Sequence, residues 1–516
     1  MDAEGLIQER KPNLDRVTET RLTMDDIRRD DAVWLVKYYL GINKYSEAVR
    51  IGGLVRQYFE QEIEDDDYFL TDLNLTLGKA LTLLGSKTVD EALARFAEAG
   101  KILSKGEQIN QKFLRDHVDF FRGEAATLSG YAKRRRSDFD GASADYAVAL
   151  QVYRQYLERY PDPHSGRFDV IEALVQAIIN QIYVDTRQGR LMRARILARN
   201  LRGPEYYPHL SPDRQINVLI SNAIAFSGSS AGADLDIALQ RISEAEDLVS
   251  GLRNRRLSAQ VAMRYAIVLS EKVRVSNEPD LSAEHYFTTA EQIFEETGDS
   301  ISLHAVLLEH GTFYLRLGRI HESNQQAHLA AQNFEKANNS FDRALSMASE
   351  PDPLARADLL SSKAIVYRLL GDLDRTEALL AEADSVLQQA PALAYAQLVA
   401  GEVAYTRGRI ALTREQWPEA IGYIATALAR YYVYSREQSL ASIFHKRIEN
   451  LFSRMETPEI KAIRECLSDP QQIPEKRAEE LQYQPPDPSQ WGPEWHRAID
   501  FITDASEAVA LSRGII

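Results

Sequence analysis

The sequence predicts an all-α chain built as a solenoid of stacked antiparallel helix pairs, with a period of about 44 residues. Three observations lead there. Apolar residues recur at helical spacings of three and four along most of the 516 residues, with no sustained two-residue alternation that would mark strands. Small and large side chains alternate on those apolar faces, as helices require when they approach closely and fill the gaps between each other's turns. The alternation also returns at a fixed interval, so each unit must bury its apolar face against its neighbours.

Residues 1–28 are polar and poorly periodic, which reads as an N-terminal arm, and the repeats occupy 29–455. The clearest unit is TREQWPEAIGYIATALARYY at 413–432, where Trp417, Ala420, Ile424 and Ala427 fall on one helical face. Gly408 and Ala411 supply small contacts on the preceding helix. Earlier units carry the same pattern around Ala48, Ala92, Ala149, Ala194, Ala238, Ala283 and Thr376. Taking these residues and Ala420 as markers, five of the seven intervals are 44 or 45 residues. One interval is 57, and one is 93, which is two periods with Ala327 expected near its middle. Helix interiors rich in Ala, Leu, Glu, Arg and Gln propagate well. Breaks are expected at 161–166, 203–212, 277–280 and 351–353, where Pro, Gly, Asn and Asp gather.

The C-terminal end changes character. Residues 456–493 read as a linker, densest in proline and polar residues after Asp469. Residues 494–516 then form an amphipathic helix with Trp495, Ile499, Ile502 and Val509 on one stripe. A single helix has no core of its own and is expected to dock. It either caps the last repeat or acts as a helix-in-groove element, filling the solenoid's own groove or that of a partner.

The stretch SKAIVYRLLGDLDRTEALLAEADSVL, with Ala364, Tyr367, Gly371, Leu380 and Ala383, resembles a tetratricopeptide repeat. So does GTFYLRLG with Gly311, Tyr314 and Gly318, and so do the segments around Ala149 and Ala420. The resemblance covers much of 30–450, with degenerate units and a period longer than the usual repeat of about 34 residues, and is closest to long-helix variants. HEAT-like pairs share the longer period, but the Tyr/Gly/Ala pattern favours the tetratricopeptide type. The resemblance implies a right-handed superhelix whose first helices line a concave groove. Carried over position by position, it places Lys37, Arg316, Arg368, Tyr405 and Arg409 on that groove. Planar, multi-donor guanidinia are suited to carboxylates, although the same arginines also read as ordinary solvated ones. At the positions of the family's carboxylate clamp stand Ser361, Ile365, Tyr405 and Arg409, without the clamp asparagine, so cochaperone activity is not expected.

Composition narrows the function classes. The formal net charge of −15 argues against general nucleic-acid binding, and the one basic run, Lys133 to Arg136, reads as a solvated helix face. Cys466 is the single cysteine, which excludes an internal disulfide and a cysteine-rich zinc site. No apolar run of 18 residues occurs, and the opening MDAEGLIQERK lacks a secretory apolar stretch, so a cytoplasmic, non-membrane protein is expected. GSSAG at 228–232 formally satisfies GxSxG, but that motif has meaning on a strand-to-helix elbow, and Ser230 lies between two expected helices. His304, His310, His321 and His328 are not spaced for helical metal ligation. Phosphate-binding and dinucleotide glycine motifs are absent from the sequence. The expectation is therefore a non-enzymatic scaffold, needing no metal or cofactor, that binds a peptide or partner protein, an acidic one if the arginines serve. The alternative is a regulatory sensor or inhibitor subunit whose C-terminal linker and helix act as a switch or protease-sensitive element.

Overall fold

The computed structural model describes residues 29–42, 44–59, 66–160, 169–227, 232–347, 353–389, 394–434, 447–467 and 500–505. Among these, every regular element is a helix. The chain divides into two compact units, one of residues up to 132 with 148–162, the other of 133–147 with the residues from 163 onward. The first unit contains α1 (Arg29–Gly41), α2 (Tyr45–Phe59), α3 (Asp67–Leu84), α4 (Val89–Ser104), the short α5 (Lys112–Asp116), most of α6 (Val118–Arg135) and the second half of α7 (Phe139–Arg159). The second contains α8 (Val170–Arg187), α9 (Leu191–Leu201), α10 (Pro212–Ser227), α11 (Gly232–Ser250), α12 (Arg255–Ser276), α13 (Ser282–Glu296) and α14 (Ser300–Ser323). It continues with α15 (Ala327–Met347), α16 (Pro353–Leu369), α17 (Leu373–Gln389), α18 (Ala394–Thr413), α19 (Trp417–Tyr434) and α20 (Thr457–Leu467). Consecutive helices pack as antiparallel pairs, the all-α repeat architecture read from the sequence.

The repeat markers sit where two helices meet. Ala48, Ala92, Ala149, Ala194, Ala238, Ala283, Thr376 and Ala420 are all fully buried. One marker needs correcting: Ala327 is the first residue of α15 and is exposed, whereas Ala330 one turn later is buried. The 57-residue interval also has a physical cause. The segment between α4 and α6 adds a 3-10 turn, Gly106–Gln108, and the short α5.

Pair packing depends on glycines facing rings. A Cβ added at Gly311 would lie 2.4 Å from Phe341, and one added at Gly318 would lie 2.3 Å from Phe334. In the α18–α19 pair, Gly401 faces Tyr431 in the same way. Absence of a side chain on one helix is thus what lets an aromatic of the other lie against its backbone.

Helix ends follow local chemistry. Asp66, Asp169, Asn254 and Asp299 each accept a hydrogen bond at 3.0–3.1 Å from the backbone N–H three residues on, a cap that contributes about 1 kcal/mol. At Gly298–Asp299 and Gly371–Asp372, a left-handed glycine (φ 67° and 84°) closes one helix and the following aspartate caps the next. The expected break at 277–280 likewise begins with Asn277 in the left-handed region, φ 56°. At 203–212 a 3-10 turn leads to α10, which starts on Pro212.

Two features differ from the sequence reading. The segment read as linker begins with a helix, α20, whose Ile460 and Ile463 are buried; Thr457 and Pro458 start it, as proline suits a first helical turn. Within the second unit, Phe139, Tyr146 and Val184 share an apolar cluster with Leu354, Tyr395 and Tyr434. Phe139 meets the Tyr395 ring edge-on at 5.7 Å, and the Tyr434 hydroxyl donates to the Arg187 carbonyl, 247 residues away in sequence. Neighbour-only stacking does not produce such a contact. Of the C-terminal stripe, Ile502 is fully buried in the cluster of Ile448, Phe452 and Ile460. Trp495, Ile499 and Val509 lie outside the described residues, as do the N-terminal arm and Ser230. No described helix is long and apolar enough to cross a membrane.

Candidate ligand-binding cavity

Three first helices of successive pairs, α14, α16 and α18, present arginines at related positions. Gly318 and Gly408 face the second helix of their pairs, against Phe334 and Ile424. The next residue on an α-helix is turned by about 100°, which swings Arg319 and Arg409 off the pair interface. Ala364 occupies the corresponding place on α16, twelve residues before the buried Thr376 as Gly408 is twelve before Ala420. Arg368 lies one turn further along the same side.

These arginines converge on a cavity of about 490 Å³, lined also by Arg447 and Arg454 from the helical segment 447–452 and the turn after it. Ile365, Leu369 and Leu451 give it an apolar part, and Asn277, Thr406 and Asn450 add neutral polar groups. Arg447 is neutralised. Its guanidinium donates twice to Glu402, at 2.6 and 3.1 Å, and the Tyr431 hydroxyl donates to the same carboxylate at 2.9 Å. Burial alone would raise the Glu402 pKa, but Arg447 and these hydrogen bonds outweigh it and hold it below the usual carboxylate range. The Arg447 guanidinium also lies 4.0 Å above the Tyr405 ring, covering one face.

The other guanidinia have no bonded acid. Among the described residues, Arg319, Arg368 and Arg454 have no hydrogen-bond or ion-pair partner, and Arg409 has only a long 3.5 Å approach to the Tyr405 hydroxyl. Arg319 is exposed to solvent where it lines the cavity. Burial and the nearby Arg409 and Arg319 push the Arg368 guanidinium down to about 9, and burial followed by Arg447 takes Arg319 to about 10. Arginine stays protonated at neutral pH in either case, so the shifts register burial and crowded positive charge that Glu322 and Glu402 offset only in part. Tyr405 answers the same field: burial would raise its phenol, but Arg447 and Arg409 bring it below its ordinary value.

Of the residues singled out from sequence, Arg368, Tyr405 and Arg409 line this cavity. Arg316 does not. It points to α12, donating to Ser270 at 2.7 Å and Glu271 at 2.5 Å. Lys37 belongs to the first unit and is paired with Asp72 at 2.7 Å. Arg319 and Arg447 were missed. Arg319 was legible, since it follows Gly318 as Arg409 follows Gly408, whereas Arg447 lies after the last unit with a marked repeat pattern, 413–432.

Two further polar clusters lie in the second unit. Glu291 accepts from His310 and from Arg343, His310 stacks on Phe287 and Tyr314, and Glu284 takes the Tyr314 hydroxyl and Lys336. Tyr183 lies under Arg134, 4.5 Å from its ring, and accepts from Arg187 at 3.3 Å; burial opposes ionisation, but Arg187 and Arg134 bring the phenol to about 8. The four histidines read from sequence are separately engaged, His304 with the Ala344 carbonyl, His310 with Glu291, His321 with Gln326 and His328 with Gln332. Among the described residues, no three His, Cys, Asp or Glu side chains gather as metal ligands.

No protein-family model matches this sequence, and no curated protein is significantly similar to it. Solved structures do resemble it. The human IFIT1 dimer with m7Gppp-AAAA is 12% identical over 92% of this chain and 89% of its own, with a TM-score of 0.45. A Rap protein complexed with Competence and Sporulation Factor is 14% identical over 81% of this chain and 99% of its own, with a TM-score of 0.44. The apo form of RapI is 13% identical over 78% and 97%, with a TM-score of 0.43.

Proposed function

We propose that this chain is a protein-interaction scaffold, not an enzyme, and that it holds an acidic segment of a partner protein in the cavity between α14, α16 and α18. The observation that carries this reading is the set Arg319, Arg368 and Arg409, none bonded to an acid, around a cavity large enough for a side chain and its flanking backbone. Several other arginines of the unit are matched by a bonded acid: Arg316 by Glu271, Arg343 by Glu291 and Arg407 by Asp384. Crowding like charges costs stability in the free protein, and an anionic ligand relieves it. Fluorescence anisotropy with a labelled oligoglutamate peptide tests the reading. Binding to the full chain, abolished in Arg368→Glu/Arg409→Glu with an unchanged circular dichroism spectrum, is expected; equal binding by that variant would remove the assignment.

A second reading rests on the C-terminal contact. Ile502 packs in the same cluster as Ile448 and Phe452, on the segment that carries Arg447 and Asn450 into the cavity. A C-terminal helix that steadies this segment would tune ligand binding and serve as the switch of a regulatory subunit. Under this reading Ile502→Asp lowers oligoglutamate affinity while α1–α18 keep their helicity. If the affinity holds, the helix is a cap and nothing more.

A further inference from the structure

We infer that the arginine cavity is built for a phosphate monoester carried on a peptide, a phosphorylated side chain of a partner protein. The inference deepens the proposed scaffold function and rests on it.

The charge balance comes first. Five guanidinia line the cavity; Glu402 neutralises Arg447, and the lining acid Glu322 offsets one more. A net of three positive charges remains, spread over Arg319, Arg368, Arg409 and Arg454. A single carboxylate leaves most of that charge unanswered. A phosphomonoester carries about −1.5 to −2 at pH 7 and three strong acceptor oxygens, and guanidinium forks match such oxygens in pairs. Arginines converging from separate helices can each take a different oxygen of one group. The Tyr405 hydroxyl, 3.5 Å from Arg409, provides one further donor at the same place.

The lining also selects what bears the phosphate. Single-stranded nucleic acids are held by aromatic faces on which bases stack, together with a basic track. Among the described residues Tyr405 is the aromatic one lining this cavity, and Arg447 already covers its ring at 4.0 Å. The chain's net charge of −15 repels a polyanion away from the cavity. Ile365, Leu369 and Leu451 instead offer apolar contact to residues flanking the phosphorylated one.

Isothermal titration of the full chain with three peptides of one sequence, bearing central phosphoserine, glutamate or serine, tests this. The phosphoserine peptide should bind at least about tenfold more tightly than the glutamate peptide, and the serine peptide should not bind detectably. Arg319→Gln, Arg368→Gln and Arg409→Gln should each weaken the phosphopeptide by about tenfold or more, while Arg316→Gln leaves it unchanged. Equal affinity for glutamate and phosphoserine peptides would overturn the phosphate assignment and leave the acidic-segment scaffold standing. No binding of either by the folded protein would overturn both. Tighter binding of a 5′-phosphorylated oligouridylate than of the phosphopeptide would overturn the choice of a protein ligand.

Discussion

Two polar regions of the second unit use the same residue types to opposite ends. Around His310, the charges are matched: Glu291 takes His310 and Arg343, and Glu284 takes Tyr314 and Lys336. Around Arg368 they are not: no described acid bonds to Arg319, Arg368 or Arg454, and Glu322 and Glu402 offset their charge only in part. A buried charge with its partners specifies a packing arrangement, and removing one partner leaves the other stranded. A cluster of like charge facing a cavity adds nothing to folding, and its uncompensated field is available to a ligand. The difference separates a polar cluster that satisfies itself from one that leaves charge for the proposed ligand.

Glu291→Ala strands His310 and Arg343 and should lower the unfolding free energy by about 2–3 kcal/mol in urea titration; an unchanged midpoint would mean the network is incidental. Next in size is Gly311→Ala beside His310. Its new Cβ would press on Phe341, costing about 1–3 kcal/mol as overpacking, against a helix-propensity gain of up to about 1 kcal/mol. A net loss of about 1–2 kcal/mol is expected. Arg368→Gln and Arg409→Gln should instead leave stability unchanged or raise it by up to about 0.5 kcal/mol, since each removes a repelled charge. A loss of more than about 1 kcal/mol in either would show that the cavity arginines are structural after all.

Acid titration sharpens the same contrast. Burial raises the pKa of Glu291, but the hydrogen bonds and charges of His310 and Arg343 overcome it, so the folded value lies below the unfolded one. Its contribution is fully present above the unfolded pKa of about 4.3 and is lost as pH falls through the folded value. Unfolding free energy should therefore drop on acidification from about pH 5 to 3, with a shallower slope in Glu291→Ala and the wild-type slope in Arg409→Gln. The smallest signal is optical. Tyr183 should ionise near 8, and Arg187→Gln should return it toward its ordinary value, followed by tyrosinate absorbance with Tyr183→Phe as reference.

The repeat was legible because its cause is local. Small residues at the pair interface must recur wherever two helices meet, and Ala92, Ala238 and Ala420 all proved buried at that place. Glycine–aspartate turns were written just as locally, at 298–299 and 371–372. Errors of one turn, as at Ala327, arose where two small residues compete for the marker. The candidate site was legible in part. Arg368, Tyr405 and Arg409 follow from repeat register, and so does Arg319, which follows Gly318 as Arg409 follows Gly408; Arg316, three residues earlier, is out of that register.

What the sequence determined by itself is the all-α class, the period and the face each helix buries, because helical periodicity and close packing act over a few residues. Only the tertiary structure decided which charges are spent. Glu271 lies 45 residues from Arg316 and binds it, while Arg319 meets no acid. Glu402 reaches Arg447 across the same separation, and Phe139 meets Tyr395 from the far end of the unit. Charge pairing falls off within ångströms and has no period in sequence, so it is fixed by where the stacked helices bring distant residues together.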